Sequence, residues 1–194
     1  MTEHEPSDQE LMQACAEGNM SAFEQLVDRH KDHLVNFFTG MCNDRTLAED
    51  LAQDVFIKLF KARDRYRPSG SFTSYLFTIA RNHWYDYLRK EKRTPDSISL
   101  ETPVGNDASG DELKGLLEDE SADEPFDELS EERRKEKLHE LIGRLPEEQR
   151  MVIVLSCFEH RPHEEIGEVM DVPVGTVKSR KHLAIKKLKK WADQ

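Results

Sequence analysis

The chain has 194 residues and carries 28 Lys and Arg against 39 Asp and Glu, a formal net charge of −11. That length allows one domain or two small ones, and at 37% hydrophobic and 35% charged it buries only a modest core. Taken alone, the net charge speaks against nucleic acid; the acidic start MTEHEPSDQE predicts no signal peptide, and the longest apolar run, Met151 to Leu155, cannot span a bilayer.

In chain order, the first element is a helix opened by the capping box Ser7-x-x-Glu10 and closed at Gly18. A second helix, capped by Ser21-x-x-Glu24, carries Phe23, Leu26, Val27, Leu34 and Phe37 and stops at Gly40. A third starts at Thr46-x-x-Glu49 and turns Leu47, Leu51, Val55 and Leu59 inward at four-residue spacing. After Pro68-Ser69-Gly70 a fourth helix runs to about Arg93. Residues 95–130 are rich in Pro, Gly, Ser and acid and form a flexible linker, with a helical turn near Leu113 to Leu117.

Beyond Ser130, Leu138, Leu141, Ile142 and Leu145 make one helical stripe. Pro146 opens a helix that continues through Phe158. Pro162 opens a short helix, His163 to Met170; Asp171-Val172-Pro173 is a tight turn, and Val174 begins a last helix to about Trp191. In the first domain alternation is absent and β-branched residues are sparse, and the expected fold class is all-α, two small helical domains joined by an acidic linker.

Charge is sorted along this plan. Residues 1–94 hold 13 basic and 15 acidic side chains, residues 95–130 hold 1 and 12, and residues 131–194 hold 14 and 12. Within the flanks, Lys58 to Arg93 sums to +7 and Pro173 to Gln194 to +6. Two basic patches thus flank an acidic segment, a pattern that restores nucleic acid as a partner. Cys15, Cys42 and Cys157 are odd in number and widely spaced, as in a reduced, cytoplasmic protein.

Three helices carry chemistry. The last two have helix-turn-helix geometry. On a wheel of about 100° per residue, Ala184, Ile185, Leu188 and Trp191 face the core with Val177, while Thr176, Ser179, Leu183 and Lys186 face out, flanked by Lys178, Arg180, His182 and Lys187. Such a face suits major-groove reading, where Lys and Arg neutralise phosphates and polar side chains reach base edges; a solvated basic helix is the plainer reading.

The fourth helix places Phe72, Ile79, Ala80, His83, Trp84 and Tyr87 on one side and Tyr75, Thr78, Asn82, Tyr85 and Arg89 on the other, ahead of the basic tail Lys90, Lys92 and Arg93. Aromatics interleaved with Asn and Arg suit single-stranded bases, or the extra rings pack on a neighbouring helix. The third helix sets Ile57 and Phe60 among Asp50, Gln53, Asp54 and Lys61, which fits a partner protein or a helix buried on two sides.

Cys157-x-x-His160-x-x-His163 lacks an obvious fourth ligand and carries Pro162, so no metal is expected. No cofactor is expected either, since no phosphate loop, nucleophile elbow or catalytic carboxylate pair is present.

LAEDLAQDVFIKLFKA, FTSYLFTIARNHWYDYLRKEKR and LPEEQRMVIVLSCFEHRPHEEIGEVMDVPVGTVKSR, in that order, resemble bacterial sigma factors of the extracytoplasmic-function (ECF) class. The resemblance implies a protein without a catalytic centre, residues 1–94 corresponding to sigma region 2 and 131–194 to region 4. It implies docking on the clamp helices of the RNA polymerase largest subunit through Asp50, Gln53, Asp54, Ile57 and Phe60, with region 4 meeting the flap. It implies recognition of single-stranded −10 DNA through Tyr75, Phe77, Arg81, Asn82, Tyr85, Arg89, Lys90 and Arg93, Asn82 helping to capture a flipped base. Trp84 is a further stacking candidate or core residue.

By the same resemblance, double-stranded −35 DNA would meet Thr176, Lys178, Ser179, Arg180, His182 and Lys186. Lys181 stands where the family commonly has an apolar residue and Leu183 where it commonly has Arg. Many members of the class are held by an anti-sigma factor, and the linker would thread near the RNA path, its acids occupying basic channel surface. The other readings of the chain are a helix-turn-helix regulator that never joins polymerase and a non-DNA interaction module.

Overall fold

The computed structural model describes residues 5–67, 70–93 and 131–192, with the side chains of 137–192 described in the last stretch. The residues read as a linker, 95–130, lie outside the described ones. Among the described residues eight α-helices follow in order: α1 (Asp8–Ala16), α2 (Met20–Cys42), α3 (Arg45–Ala62), α4 (Phe72–Glu91), α5 (Glu131–Gly143), α6 (Glu147–Ile153), α7 (His163–Met170) and α8 (Val174–Ala192). There is no strand among the described residues.

Local chemistry sets the helix ends. The Ser7–Glu10 capping box forms at α1 as expected. At α2 the cap is Asn19, whose side chain accepts from the Ala22 N–H at 3.2 Å, and not Ser21. At α3 it is Asp44, accepting from Thr46 and Leu47 at 2.9 and 3.1 Å, and not Thr46. Asp is a stronger cap than Thr, and Asn19 and Asp44 both stand where the chain is still extended. α2 does not stop at Gly40; it runs on to Cys42 and ends at Asn43, in the left-handed region at φ 55°.

The α6 helix widens into a π-type turn over Val154–Phe158. The last two helices have the expected bounds. Asp171 terminates α7 at φ 55°, and the Val172 N–H donates to the Gly167 carbonyl at 3.0 Å. A Cβ at position 167 would stand 3.0 Å from the Val172 carbonyl oxygen, so the turn closes over a residue without one.

Each half builds its own bundle. α2 packs on α1 and α3, and α3 on α4; α8 packs on α5, α6 and α7. The halves also meet: α4 lies on α7, and α2 on the π-type turn. One buried cluster therefore includes Phe37, Phe38, Leu59 and Leu76 from the first half and Val154, Leu155, Ile166 and Val169 from the second. A smaller cluster of Ile142, Leu145, Ile153 and Ala184, with Leu188 and Trp191, anchors the distal half of α8. Two positions of the predicted stripes fall outside these cores: Leu138 is 44% and Ile185 36% exposed.

Polar groups cross the contact between halves. Arg150 of α6 donates to the Met41 carbonyl of α2 at 2.8 Å. Trp84 of α4 donates its indole N–H to Glu147. His33 Nδ1 lies 2.7 Å from Glu159, whose side chain is fully buried. Burial pushes the Glu159 carboxyl above the usual carboxylate range, opposed by its bond to His33.

Candidate nucleic-acid and partner interfaces

The outer face of α3 forms one wall of an apolar groove. A groove of about 560 Å³ lies between α2 and α3, floored by Phe23, Val27, Ala52 and Phe56 and flanked by Met20 and Ile57, which are 52% and 44% exposed. Phe60 sits 5.1 Å from the Phe23 ring, with the Arg63 guanidinium 4.0 Å above it. Lys31 and Lys61 rim the groove opposite Glu49 and Asp50. Of the predicted docking residues, Asp50, Gln53, Ile57 and Phe60 line it.

Asp54 is exposed but belongs to the next cleft, of about 340 Å³, between α3 and α4. Its Oδ2 is 3.3 Å from His83 Nε2, and Lys58 Nζ is 2.8 Å from His83 Nδ1. Lys61, Arg89, Lys90 and Arg93 complete the cleft, and Asp86 bridges to Arg89 at 3.1 Å. Burial and the adjacent Lys58 ammonium hold the His83 imidazole below its ordinary value.

On α4 the predicted reading face divides. Asn82 is exposed, and Arg81 directs its fork onto the Asn82 Oδ1, at 3.2 Å from Nε and 2.8 Å from Nη2. That leaves the amide N–H groups as the outward donors. Arg89, Lys90 and Arg93 are exposed. Tyr75 is half-buried against Tyr66, ring centroids 5.1 Å apart, and burial raises its phenol. Tyr85 is half-buried, its phenol raised by burial and then by Glu148 and Glu147.

Phe77 is a correction. It is fully buried, edge-on to Phe37 at 5.5 Å, and presents no face to a base. Its position follows from Leu76 and Phe77 both entering the core, which makes the buried stripe of α4 wider than the wheel implied. Trp84 is core as well, 3% exposed and stacked on Tyr87 at 5.6 Å.

On α8, Lys178, His182 and Lys186 are exposed, and Leu183 is 47% exposed beside them. Thr176, Ser179 and Arg180 are half-buried; the Ser179 hydroxyl donates to the Thr176 carbonyl at 3.0 Å, and Arg180 pairs with Glu148 of α6. The face is basic and polar over the first three turns, as a helix entering a major groove needs. Lys181, the departure from the family pattern, is half-buried rather than enclosed.

Sequence reading missed the α2 side of the groove. Met20 and Phe23 were the available signal, two large apolar residues in the opening turn of a helix. It also missed the Lys58–His83–Asp54 set, because His83 read only as a core position. Among the described residues, no three His, Cys, Asp or Glu side chains are placed to hold a metal, and no helix is long and apolar enough to cross a membrane.

Comparison with known proteins covers both halves of the chain. A family model described as Sigma-70 region 2 matches residues 26–94, and one described as Sigma-70, region 4 matches residues 135–188. The ECF RNA polymerase sigma-E factor of Escherichia coli strain K12 is 33% identical over 175 residues, 90% of this chain and 88% of that protein. The RNA polymerase sigma-H factor of Pseudomonas aeruginosa is 30% identical over 173 residues, 89% and 87% of the two chains. Among solved structures, CnrH in complex with the cytosolic domain of CnrY matches with a TM-score of 0.68 and 25% identity, covering 96% of this chain and 97% of that one. The sigma factor RpoE of Bartonella quintana, in complex with the anti-sigma factor NepR, shares the fold at a TM-score of 0.65 and 22% identity over 88% and 96% of the two chains.

Proposed function

Since the chain belongs to the RNA polymerase sigma factors of the ECF class, which direct promoter-specific transcription, we propose a division of labour among its three faces. The groove between α2 and α3 docks on the clamp helices of the polymerase largest subunit, using Asp50, Gln53, Ile57 and Phe60 with Met20 and Phe23. Asp54 acts from the rim of the adjoining cleft. α4 reads the −10 element as single-stranded DNA, and α8 reads the −35 element as duplex. Residues 1–94 and 131–194 are the units that carry these tasks, and the protein works in the cytoplasm without a catalytic centre of its own.

The observation that carries this reading is Asn82, held exposed on α4 by the Arg81 fork with its amide donors free. Extruding a base costs a few kcal/mol of stacking and pairing. An oriented amide, a stacking ring such as Tyr85 and the cations Arg89, Lys90 and Arg93 supply contacts that only the unpaired base and its strand receive, and so shift the duplex toward opening. At −35, Arg180 and Lys186 contact phosphates while Lys178, Ser179 and His182 stand at base-contact positions, with Thr176 beside them.

CnrH was solved with the cytosolic domain of CnrY, and a protein partner of that kind is proposed for this chain. Reconstituted run-off transcription tests the reading. Core polymerase plus this chain should give promoter-dependent transcripts, and failure to co-purify with core polymerase would leave a free-standing helix-turn-helix regulator instead.

A further inference from the structure

Two adjacent glutamates open α6, and each joins a different reading helix. Glu147 accepts the indole N–H of Trp84 from α4. Glu148 pairs with the Arg180 guanidinium of α8. Tyr85, next to Trp84, is half-buried and feels both carboxylates. Glu148 thereby occupies a guanidinium that a DNA strand would otherwise use, since a guanidinium binds carboxylate and phosphate by the same geometry, while Glu147 ties a core indole of α4 to α6.

We propose that Glu147 and Glu148 form an intramolecular clasp in the free chain: Glu148 stands in for a DNA phosphate at Arg180 of α8, and Glu147 holds α4 to α6 and keeps the chain closed. The two halves of the clasp differ. Glu147 reaches across to the first half of the chain, so its bond exists only while α6 lies against α4. Glu148 and Arg180 belong to the same half, so their pair survives separation and yields only to a competing phosphate. Arg150, one turn further along α6, reinforces the closed arrangement through the Met41 carbonyl at 2.8 Å. Closure leaves Tyr85 half-buried with both carboxylates near it, so whatever draws the halves apart, polymerase included, makes α4 more available to −10 DNA.

The inference rests on the assignment of α4 and α8 as DNA readers. The test uses the full chain carrying Trp191→Phe, which leaves Trp84 as the sole indole. Glu147→Gln with Glu148→Gln should shift Trp84 emission to the red and increase its quenching by acrylamide. The same pair should tighten binding of the free chain to a −35/−10 fork-junction probe by roughly fivefold, within the reach of one partly exposed ion pair released at Arg180. A charge-matched control, Glu17→Gln with Glu24→Gln, removes two exposed carboxylates elsewhere. Equal tightening by both pairs, or unchanged Trp84 emission, overturns the clasp. If the double variant unfolds, Glu148→Gln alone decides: its carboxylate is 57% exposed, and it should tighten −35 duplex binding without moving Trp84 emission, while no tightening overturns the proposal. Failure of the reader assignment looks different: holoenzyme carrying Asn82→Ala and Lys178→Ala would open the promoter normally, whatever Trp84 reports.

Discussion

Gly40, inside α2, lies flush against Val154 of the π-type turn: a Cβ on the glycine would stand 2.8 Å from one Val154 methyl and 3.1 Å from the other. The absent side chain is what lets the two halves of the chain come together, and the bond from exposed His33 to buried Glu159 and the Arg150–Met41 bond lie on the same seam.

Gly40→Ala should therefore loosen the seam, seen as a larger radius of gyration in solution scattering. Val154→Ala in the same chain should restore it, because the clash is with the valine methyls. Contacting residues couple by about 0.5–3 kcal/mol in a double-mutant cycle. Additive effects would mean that the two residues do not touch.

Much of this architecture is legible in the sequence. The Ser7–Glu10 box, Pro162 and the Asp171–Pro173 turn act through bonds to residues a few positions away, and the helices they bound form as read. Gly40 was misread as a stop because a glycine ends a helix or admits a neighbour with the same sequence signal, and only the fold brings Val154 to it. Tyr85 and Trp84 posed the same problem: the wheel showed more apolar surface on α4 than one neighbour needs, and it could not say that α7 packs on the rest and that Glu147 of α6 reaches Trp84. The docking face was half legible, since α3 carries its own pattern while Met20 and Phe23 come from another helix.

Phe77 supports the fold rather than touching DNA. Phe77→Ala should lower stability by about 3–5 kcal/mol, as large aromatic truncations in cores do. Urea unfolding measures this. A variant of unchanged stability that fails only in promoter opening would return Phe77 to the reading face.

Ile57 is 44% exposed at the groove, so Ile57→Glu should leave the unfolding midpoint within about 0.5 kcal/mol of the parent. The same change places a charge in an apolar contact and should weaken core polymerase binding by at least about tenfold. Titration of labelled chain with core polymerase checks it; unchanged affinity would remove this groove from the docking account.

His83 makes the fold sensitive to acid. Burial first, then Lys58, hold its imidazole below the ordinary 6.5, with Asp54 and Asp86 opposing and Lys90 assisting. The unfolded chain thus takes the proton first, so this contribution is present above the ordinary value and is lost as pH falls below it. His30, also depressed mainly by burial, acts with the same sign. Glu159, raised by burial, acts with the opposite sign, its contribution being lost as pH rises through its folded value. Urea midpoints at about pH 7.5 and about pH 5.5 should differ less in His83→Gln than in the parent; an identical difference would separate His83 from the effect.

The most direct test of the whole account is permanganate footprinting of promoter DNA with holoenzyme carrying Asn82→Ala, alongside its affinity for core polymerase. The account predicts loss of reactive thymines across the −10 element with core binding intact. Unchanged footprints, or loss of both activities together, would contradict it.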